Sequence, residues 1–449
     1  MNKQKTIFIT SFYGLIGRNL LGTDILKTLF AHSSGARVVI LLPEEKQKTY
    51  QGLFGSDRVI VEGVPSIPET PFELFLAKLF FFLSPTESAK IARSAIREQG
   101  KYFHAAILTL IGWLGRIKLI RQLARRSAYL LTRKDRYKKY FNKYNPDLVF
   151  ATDIFRHQDV EIMREAHLRG VATLGMVRSW DNLSTKGLNH FVPDYVVVQA
   201  EKMKEDIVRY GDVYPSKVDV IGVPHYDRYV KDRRKPREEF FHSLNLDPKK
   251  KTIILSPPLL YYASDPIAEM IVHALAPFEN IQVIVRSALV GKTNLGKLKP
   301  IPNALTIDEP ESAEDFIKAD IMAGDDHLAD LLYHCDAMVS HISTLAIDAI
   351  VFDKPAFFIG FNTKPMPYHQ SVRWFFDMDC ARDLIATGGV KLSENVDEFV
   401  GQLKAHLADP KLGAEGRQLV RERYCYKLDG KSGERLGNVL AGIVGEKLQ

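Results

Sequence analysis

Cysteine is scarce. The chain of 449 residues holds three, Cys335, Cys380 and Cys425, far apart and without a C-x-x-C pair. That excludes a disulfide-stapled scaffold and a cysteine zinc cluster, and it fits a reducing compartment. Long apolar runs are missing too. The two strongest, "PFELFLAKLFFFLSP" and "AAILTLIGWLGRIKLIRQLARR", are interrupted by Glu73, Lys78, Arg116 and Lys118 before reaching the roughly 20 residues that a bilayer span requires. The N-terminal "MNKQKTIFITSFYG" turns at a glycine after a few apolar positions and shows no signal-peptide h-region, so a cytoplasmic protein is expected. There is no short internal repeat, no low-complexity tract and no motif of a nucleic-acid-binding module, so no nucleic-acid partner is expected.

Charge is present but unevenly placed. Between Lys90 and Lys143 fifteen Lys and Arg face only Glu98 and Asp135, a local balance of +13 inside a chain whose total is +7. A patch of this kind suggests a negatively charged surface partner. On a helix from residue 116, Lys118, Arg121, Gln122 and Arg125 fall on one side and Leu119, Ile120 and Leu123 on the other. This predicts an interfacial helix, with residues 90–143 resting on an anionic membrane, or else a helical insertion whose solvated face is basic.

Length and pattern predict an α/β protein of two domains. Short β-branched runs alternate with helical stretches: "TIFIT" (6–10), "RVVILL" (37–42), "RVIV" (58–61), "DLVFAT" (147–152), "VATLGM" (171–176), "YVVV" (195–198) and "VDVIGV" (218–223). After a charged, proline-bearing joint near 224–250 the pattern restarts with "TIILS" (252–256), "IQVIV" (281–285), "ALTI" (304–307), "DAMVS" (336–340) and "AFFIG" (356–360). Continuous apolar strands separated by helices indicate parallel sheets covered on both faces. Two Rossmann-like domains are expected, 1–235 and 236–449, with a helical insertion at about 69–145 and a C-terminal helical segment able to pack back across the joint.

Several strand ends carry chemistry. In "VSHISTLAIDAIVFDKPAFFIG" the strand "DAMVS" runs into a hydroxyl-rich turn and a helix starting near Ser343. Amides and hydroxyls at Ser343 and Thr344 suit an anion at a helix N-terminus, or Ser343 is simply the N-cap. Asp348, one turn on, could accept a ribose diol or be a solvated helix residue. Arg286 closes the strand "IQVIV", where it could grip phosphate bidentately or make a structural ion pair. In "MVRSWDNLSTKG" (176–187) Asp181 could serve as a base or as a helix cap. "ATDIFRHQD" (151–159) supplies the rivals Asp153, His157 and Asp159. "ITSFYGLIGRNLL" (9–21) places Gly14 and Gly17 in the first strand-to-helix turn, which is not G-x-G-x-x-G. "DMD" (377–379) is too short to argue a metal, and His327 and His334 are not at zincin spacing, so no metal site is expected.

"DHLADLLYHCDAMVSHISTLAIDAIVFDKPAFFIGF" resembles the donor motif of the GT-B superfamily: a helix reading D-L-x-x-x-x-D, a strand, S-x-S/T-S/T, an acidic residue and K-P. The versions most similar belong to CDP-glycerol glycerophosphotransferases and surface-polysaccharide glycosyltransferases, and more loosely to UDP-N-acetylglucosamine epimerases. "VIGVPHYDRY" (220–229) resembles their G-x-P-x-x-D segment and "LDGKSGERL" (428–436) their D-G-x-x-x-E-R segment. The loop 176–187 is similar to W-H-G-T-P-L-K-x-x-G, with Asp181 at the place of the basic histidine. Two departures concern specificity: R-P-H-P is replaced by "RSA" after Val285, and His341 stands where an aspartate is common.

The resemblance implies a glycosyltransferase that moves a sugar from a nucleotide-activated donor to a hydroxyl acceptor, saccharide or lipid-linked, in bacterial surface polysaccharide or glycolipid synthesis. Asp181, Asp153 or His157 would serve catalysis. Arg286, His341, Ser343, Thr344 and Asp348 would bind the donor, and Gly14, Gly17, Trp180 and Asn182 would line the acceptor cleft. The nucleotide enters as substrate, so no resident cofactor is implied. Alternatives are a CDP-glycerol-type polyol phosphotransferase, a UDP-sugar 2-epimerase-like enzyme and a non-catalytic nucleotide-sugar binder.

Overall fold

The computed structural model describes residues 4–13, 15–132, 135–231, 234–257, 265–286, 304–307 and 324–446. Contacts divide the chain into two compact units, 1–230 with 426–449, and 231–425.

The first unit is built on a seven-stranded sheet in the order β3-β2-β1-β4-β5-β6-β7. Its strands are β1 (Lys5–Thr10), β2 (Ala36–Pro43), β3 (Val59–Val64), β4 (Leu148–Ala151), β5 (Ala172–Met176), β6 (Tyr195–Val198) and β7 (Val218–Val220). All pairings are parallel. Ile7, Phe8, Val38, Ile40, Val149 and Leu174 are fully buried, as both faces of a parallel sheet require. Helices α1 (Ile25–His32), α2 (Gln47–Phe54), α3 (Pro71–Leu83), α4 (Glu87–Glu98), α5 (Tyr102–Leu114), α6 (Lys118–Leu131), α7 (Lys138–Tyr144), α8 (His157–Leu168), α9 (Asn182–Thr185) and α10 (Glu201–Gly211) connect them. The order reverses between β1 and β4, and this switch point is where α/β sheets place ligands.

Among its described residues the insertion, α3 to α7, contains no strand, as its pattern implies. Its own small core joins Leu76, Phe80 and Leu83 of α3 to Ala128 of α6 and to Leu188, with Ile111, Ile120 and Ala124 packed around them. One expectation is overturned here. The basic side of α6 is divided: Arg121 and Arg125 are buried and both pair with Asp212, at 2.5 and 2.6 Å, while Lys118 and Gln122 are exposed. Leu119, Leu123, Leu130 and Leu131 face outward instead. The inward face joins Ile120 to Arg121 and Arg125 and so mixes the two expected sides, because an acceptor 87 residues beyond Arg125 draws the arginines in. No single helix among the described residues is long and apolar enough to cross a membrane; α5 and α6 form a pair bent by 105°.

The expected second domain ran on to residue 449, whereas the last 24 residues, 426–449, group with the first unit. They pack through the buried Leu436 and Leu440 and are also anchored electrostatically. The Asp227 carboxylate accepts the Ser432 and Gly433 amides at 2.9 and 2.8 Å, capping the helix Ser432–Glu446 where its N–H groups and dipole favour negative charge. Arg435 donates to the Ile221 carbonyl at 3.1 Å and also pairs with Asp429. The G-x-P-x-x-D and D-G-x-x-x-E-R segments therefore meet as a staple within this unit.

The second unit repeats the order on six parallel strands, β10-β9-β8-β11-β12-β13. They are β8 (Lys251–Ser256), β9 (Ile281–Arg286), β10 (Ala304–Ile307), β11 (Ala337–Ser340), β12 (Ala356–Ile359) and β13 (Val390–Ser393). Only β13 has no counterpart in the sequence reading. Its switch point lies between β8 and β11, beside the helix Thr344–Val351.

Candidate functional site

At the carboxyl edge of the first sheet, the ends of β1, β4 and β5 carry a dense set of ionisable side chains. Asp153 follows β4 and is buried, its carboxylate receiving the Phe155 amide at 3.0 Å, Arg178 Nε at 3.2 Å and Lys186 Nζ at 3.5 Å. The Arg178 guanidinium also lies 3.6 Å from the centre of the Tyr13 ring. Burial works against its charge, but the Asp153 carboxylate outweighs this and raises the Arg178 pKa, with Asp181 contributing. Asp153 is therefore an anchor for two cations. Asp159, the third rival, is buried with a hydrogen bond from the Thr10 hydroxyl, and desolvation pushes its carboxyl up to about 7. At 1% exposure it has no access to a substrate.

Asp181 is half-buried and ends the β5 loop at the N-cap position of α9. Its side chain makes no capping bond to α9 amides; it accepts instead from the Ser179 hydroxyl and from Thr185 Oγ1 at 3.3 Å. Its hydrogen bonds come from hydroxyls, and the Arg178 charge lies near enough to be stabilised by it. Trp180 and Asn182 beside it are buried, at 8% and 1% exposure, so they shape the loop from within. The loop ends at Gly187, with φ +82°, where a Cβ would stand 2.5 Å from the Phe81 Cα. Only glycine permits that approach, and the loop is tied to α3 by the Leu188 amide bonding the Phe80 carbonyl at 3.2 Å. Gly17 is buried at the start of the π-helical turn Gly17–Leu21, and Gly14 lies outside the described residues.

His157 opens α8 inside a charged cluster. Arg136 Nη1 lies 2.9 Å from both His157 Nε2 and Glu161, and Arg136 Nη2 reaches Glu73 at 3.1 Å. Glu73, His157 and Glu161 are close enough together to hold a cation. The Arg136 guanidinium already supplies the positive charge, so the trio is better explained as the knot tying the insertion to α8. His157 nonetheless lines a cavity of about 380 Å³ together with Thr185, Lys186, Phe155, Glu69 and Arg164. Thr185 links this recess to Asp181. Arg178, Lys186 and Thr185 were not singled out from sequence; their signal was their presence in and around the quoted loop.

The second unit's edge has a different character. Ser343 caps the helix Thr344–Val351 by accepting the Leu345 amide at 3.2 Å, so that amide is spent, and Thr344 is exposed at the first turn. Ser340, ending β11, is fully buried and its hydroxyl has no hydrogen-bond partner among the described residues. His341 sits edge-on to Phe375 and Phe376, each 5.1 Å away, and burial pushes its imidazole down to about 4, so the ring is neutral. Its Nε2 also lacks a partner among the described residues. Asp348 is buried on the second turn, near enough to Cys425 to help burial raise that thiol's pKa. Arg286 ends β9, nearly buried, and its charge adds to burial in depressing the His327 imidazole. Asp377 of the D-x-D accepts the Tyr368 hydroxyl at 2.8 Å and faces Arg373, while Asp379 begins a helix.

Two Rossmann-like units, one edge rich in acids and cations and the other in hydroxyls beside a helix N-terminus, give the GT-B architecture, and the family match makes the protein a transferase. The chain belongs to the CDP-Glycerol:Poly(glycerophosphate) glycerophosphotransferase family, whose model matches residues 173–442. No curated protein matches it in sequence. Similar solved structures include a glycosyltransferase from Rickettsia africae ESF-5, at 12% identity over 100% of both chains with a TM-score of 0.52. Another is a UDP-GlcNAc 2-epimerase from Neisseria meningitidis bound to UDP-GlcNAc, at 11% identity over 98% of this chain and 100% of that one, TM-score 0.53. A further UDP-N-acetylglucosamine 2-epimerase covers 100% and 98%, at 12% identity and TM-score 0.55. At these identities the likeness is one of fold.

Proposed function

We propose that the enzyme transfers a polyol phosphate from a CDP-activated donor to a hydroxyl of a saccharide or lipid-linked acceptor in surface-polymer or glycolipid synthesis. The observation that carries this reading is the family match, which begins at β5 and so takes in both the Asp181 loop and the donor motif. Asp181 accepts the proton of the acceptor hydroxyl as its oxygen bonds to the donor's distal phosphorus. The bond from that phosphorus to the bridging oxygen breaks, and CMP leaves. Arg286 and the polar groups at His341, Ser343 and Thr344 stabilise the phosphates, and Asp348 accepts the ribose hydroxyls. Fixed donors aimed at developing charge supply much of the rate in such sites.

Glycosyl transfer is the second reading, favoured by an aspartate in place of the loop histidine and by the absence of a histidine directly after Arg286. The acceptor oxygen would then attack the anomeric carbon, and a nucleoside diphosphate would depart. Peripheral association with an anionic membrane suits either chemistry when the acceptor is lipid-linked.

The test is release of nucleotide and labelled product from purified enzyme offered CDP-glycerol, other CDP-polyols and UDP-, GDP- and dTDP-sugars, each with an acceptor. CMP release from a CDP-polyol supports the first reading, and diphosphate release from a sugar nucleotide the second. No turnover with any donor that demonstrably binds would sink both.

A further inference from the structure

The insertion carries a groove that the transfer chemistry leaves unused. Between α4 and α5 lies a cavity of about 290 Å³ whose charged lining is Lys90, Arg93, Arg97 and Arg116, with no carboxylate among the lining residues. Arg93 Nη1 is buried there without a hydrogen-bond partner among the described residues. The guanidinium reaches that position because α5 has glycine at 112, where a Cβ would stand 2.5 Å from Nη1. Burial and the neighbouring Arg116 both disfavour the charge on Arg93, and Glu87, which offsets part of this, is paired with Lys90 at 3.1 Å, so an anion in the groove would relieve the crowding of Arg93 and Arg116. Ser94 and Thr109 add hydroxyls to the wall.

The same groove borders apolar surface. Trp113 lines it and is 60% exposed, and α5 continues outward through Leu110, Ile107 and Phe103, the last 82% exposed. Leu119 and Leu123 of α6 extend the exposed apolar set beyond the 105° bend. Apolar residues this exposed on adjoining helices mark an interaction surface. A cation groove beside an apolar helix face matches the two halves of a phospholipid, and Trp enrichment at the membrane interface follows the same logic. The cationic lining of the groove argues against a second copy of this chain, because copies meeting through this face would bring the arginines of one groove towards those of the other.

We infer that the groove between α4 and α5 receives the phosphate headgroup of an anionic phospholipid while the outer face of α5 and α6 lies in the acyl boundary of the bilayer. This deepens the peripheral-membrane part of the proposed reading, rests on it, and is independent of the donor.

The test uses the full chain and vesicles of phosphatidylcholine alone or mixed with phosphatidylglycerol. The protein should float with the mixed vesicles, and lipid with brominated chains should quench emission that is lost in Trp113→Phe. Arg93→Gln with Arg116→Gln should weaken binding to the mixed vesicles by about 25-fold, at about fivefold per surface cation. Phe103→Ser with Leu110→Ser should weaken binding to both vesicle types. Undiminished binding by the arginine variant would overturn the headgroup site, as would thermal stabilisation by inorganic phosphate in protein that binds no vesicle. A concentration-dependent dimer abolished by Phe103→Ser would show that a second copy covers the face, and would overturn the inference as well. Donor-induced stabilisation is recorded in the same preparations; its failure speaks only against the transferase reading.

Discussion

The two sheets share one strand order and carry opposite chemistry on their carboxyl edges. On the first, Asp153, Asp181, Arg178 and Lys186 crowd the ends of β4 and β5, linked by ion pairs and hydroxyl bonds. On the second, the ends of β9 and β11 offer an arginine, a neutral buried histidine, hydroxyls and a helix N-terminus. Topology supplies an edge of the kind that binds ligands in both cases, and the residues placed there are the ground for the proposed division between proton transfer and phosphate binding.

The contrast can be broken variant by variant. The largest effect is expected from Asp181→Asn, which keeps the hydroxyl partners but removes the base; turnover should fall by about a hundred- to ten-thousand-fold in a steady-state assay. Asp212→Asn tests the insertion that supports this edge. It strands two buried arginines and should cost about 3–5 kcal/mol in denaturant unfolding. On the phosphate-holding edge, Arg286→Ala should lower kcat/KM by about a hundred- to a thousandfold, the usual loss for one phosphate-stabilising donor. Asp348→Asn, which keeps shape and loses charge, should weaken donor binding by about tenfold, or about 1.4 kcal/mol, by titration calorimetry.

The last effect is spread over pH. Asp159 has its pKa raised from 3.8 to about 7, so the folded state retains a proton that the unfolded chain releases. Stability should therefore fall as pH rises across that window and level off above it, by at most about 1.4 kcal/mol per pH unit. Asp159→Asn should flatten the slope in thermal melts, and a slope unchanged in the variant would assign it to other groups.

Much of this was legible from residue order. Apolar runs located twelve strands because buried parallel strands are continuous in apolar residues, whereas β13, "VKLS", is short, carries Lys391 and sits at a sheet edge. The helix α6 was legible but not its inward face, since burial of Arg121 and Arg125 depends on Asp212 at the C-terminal end of α10. Asp227 read as part of a motif; its role became visible only beside the Ser432 and Gly433 amides, 205 and 206 residues away. Candidate site residues stood at strand ends, where pattern points. Pattern could not separate Asp181, held by hydroxyls, from Asp153, engaged by two cations, or from Asp159, sealed against Thr10.

The most direct test of the division between the two edges is the shift in melting temperature produced by the nucleotide donor, measured side by side for wild type, Asp181→Asn and Arg286→Ala. A ligand that binds only folded protein raises its apparent stability. The full shift should persist in Asp181→Asn although turnover is lost, and it should largely disappear in Arg286→Ala. A shift abolished in Asp181→Asn, or retained intact in Arg286→Ala, would contradict the assignment of proton transfer to the first unit and phosphate binding to the second.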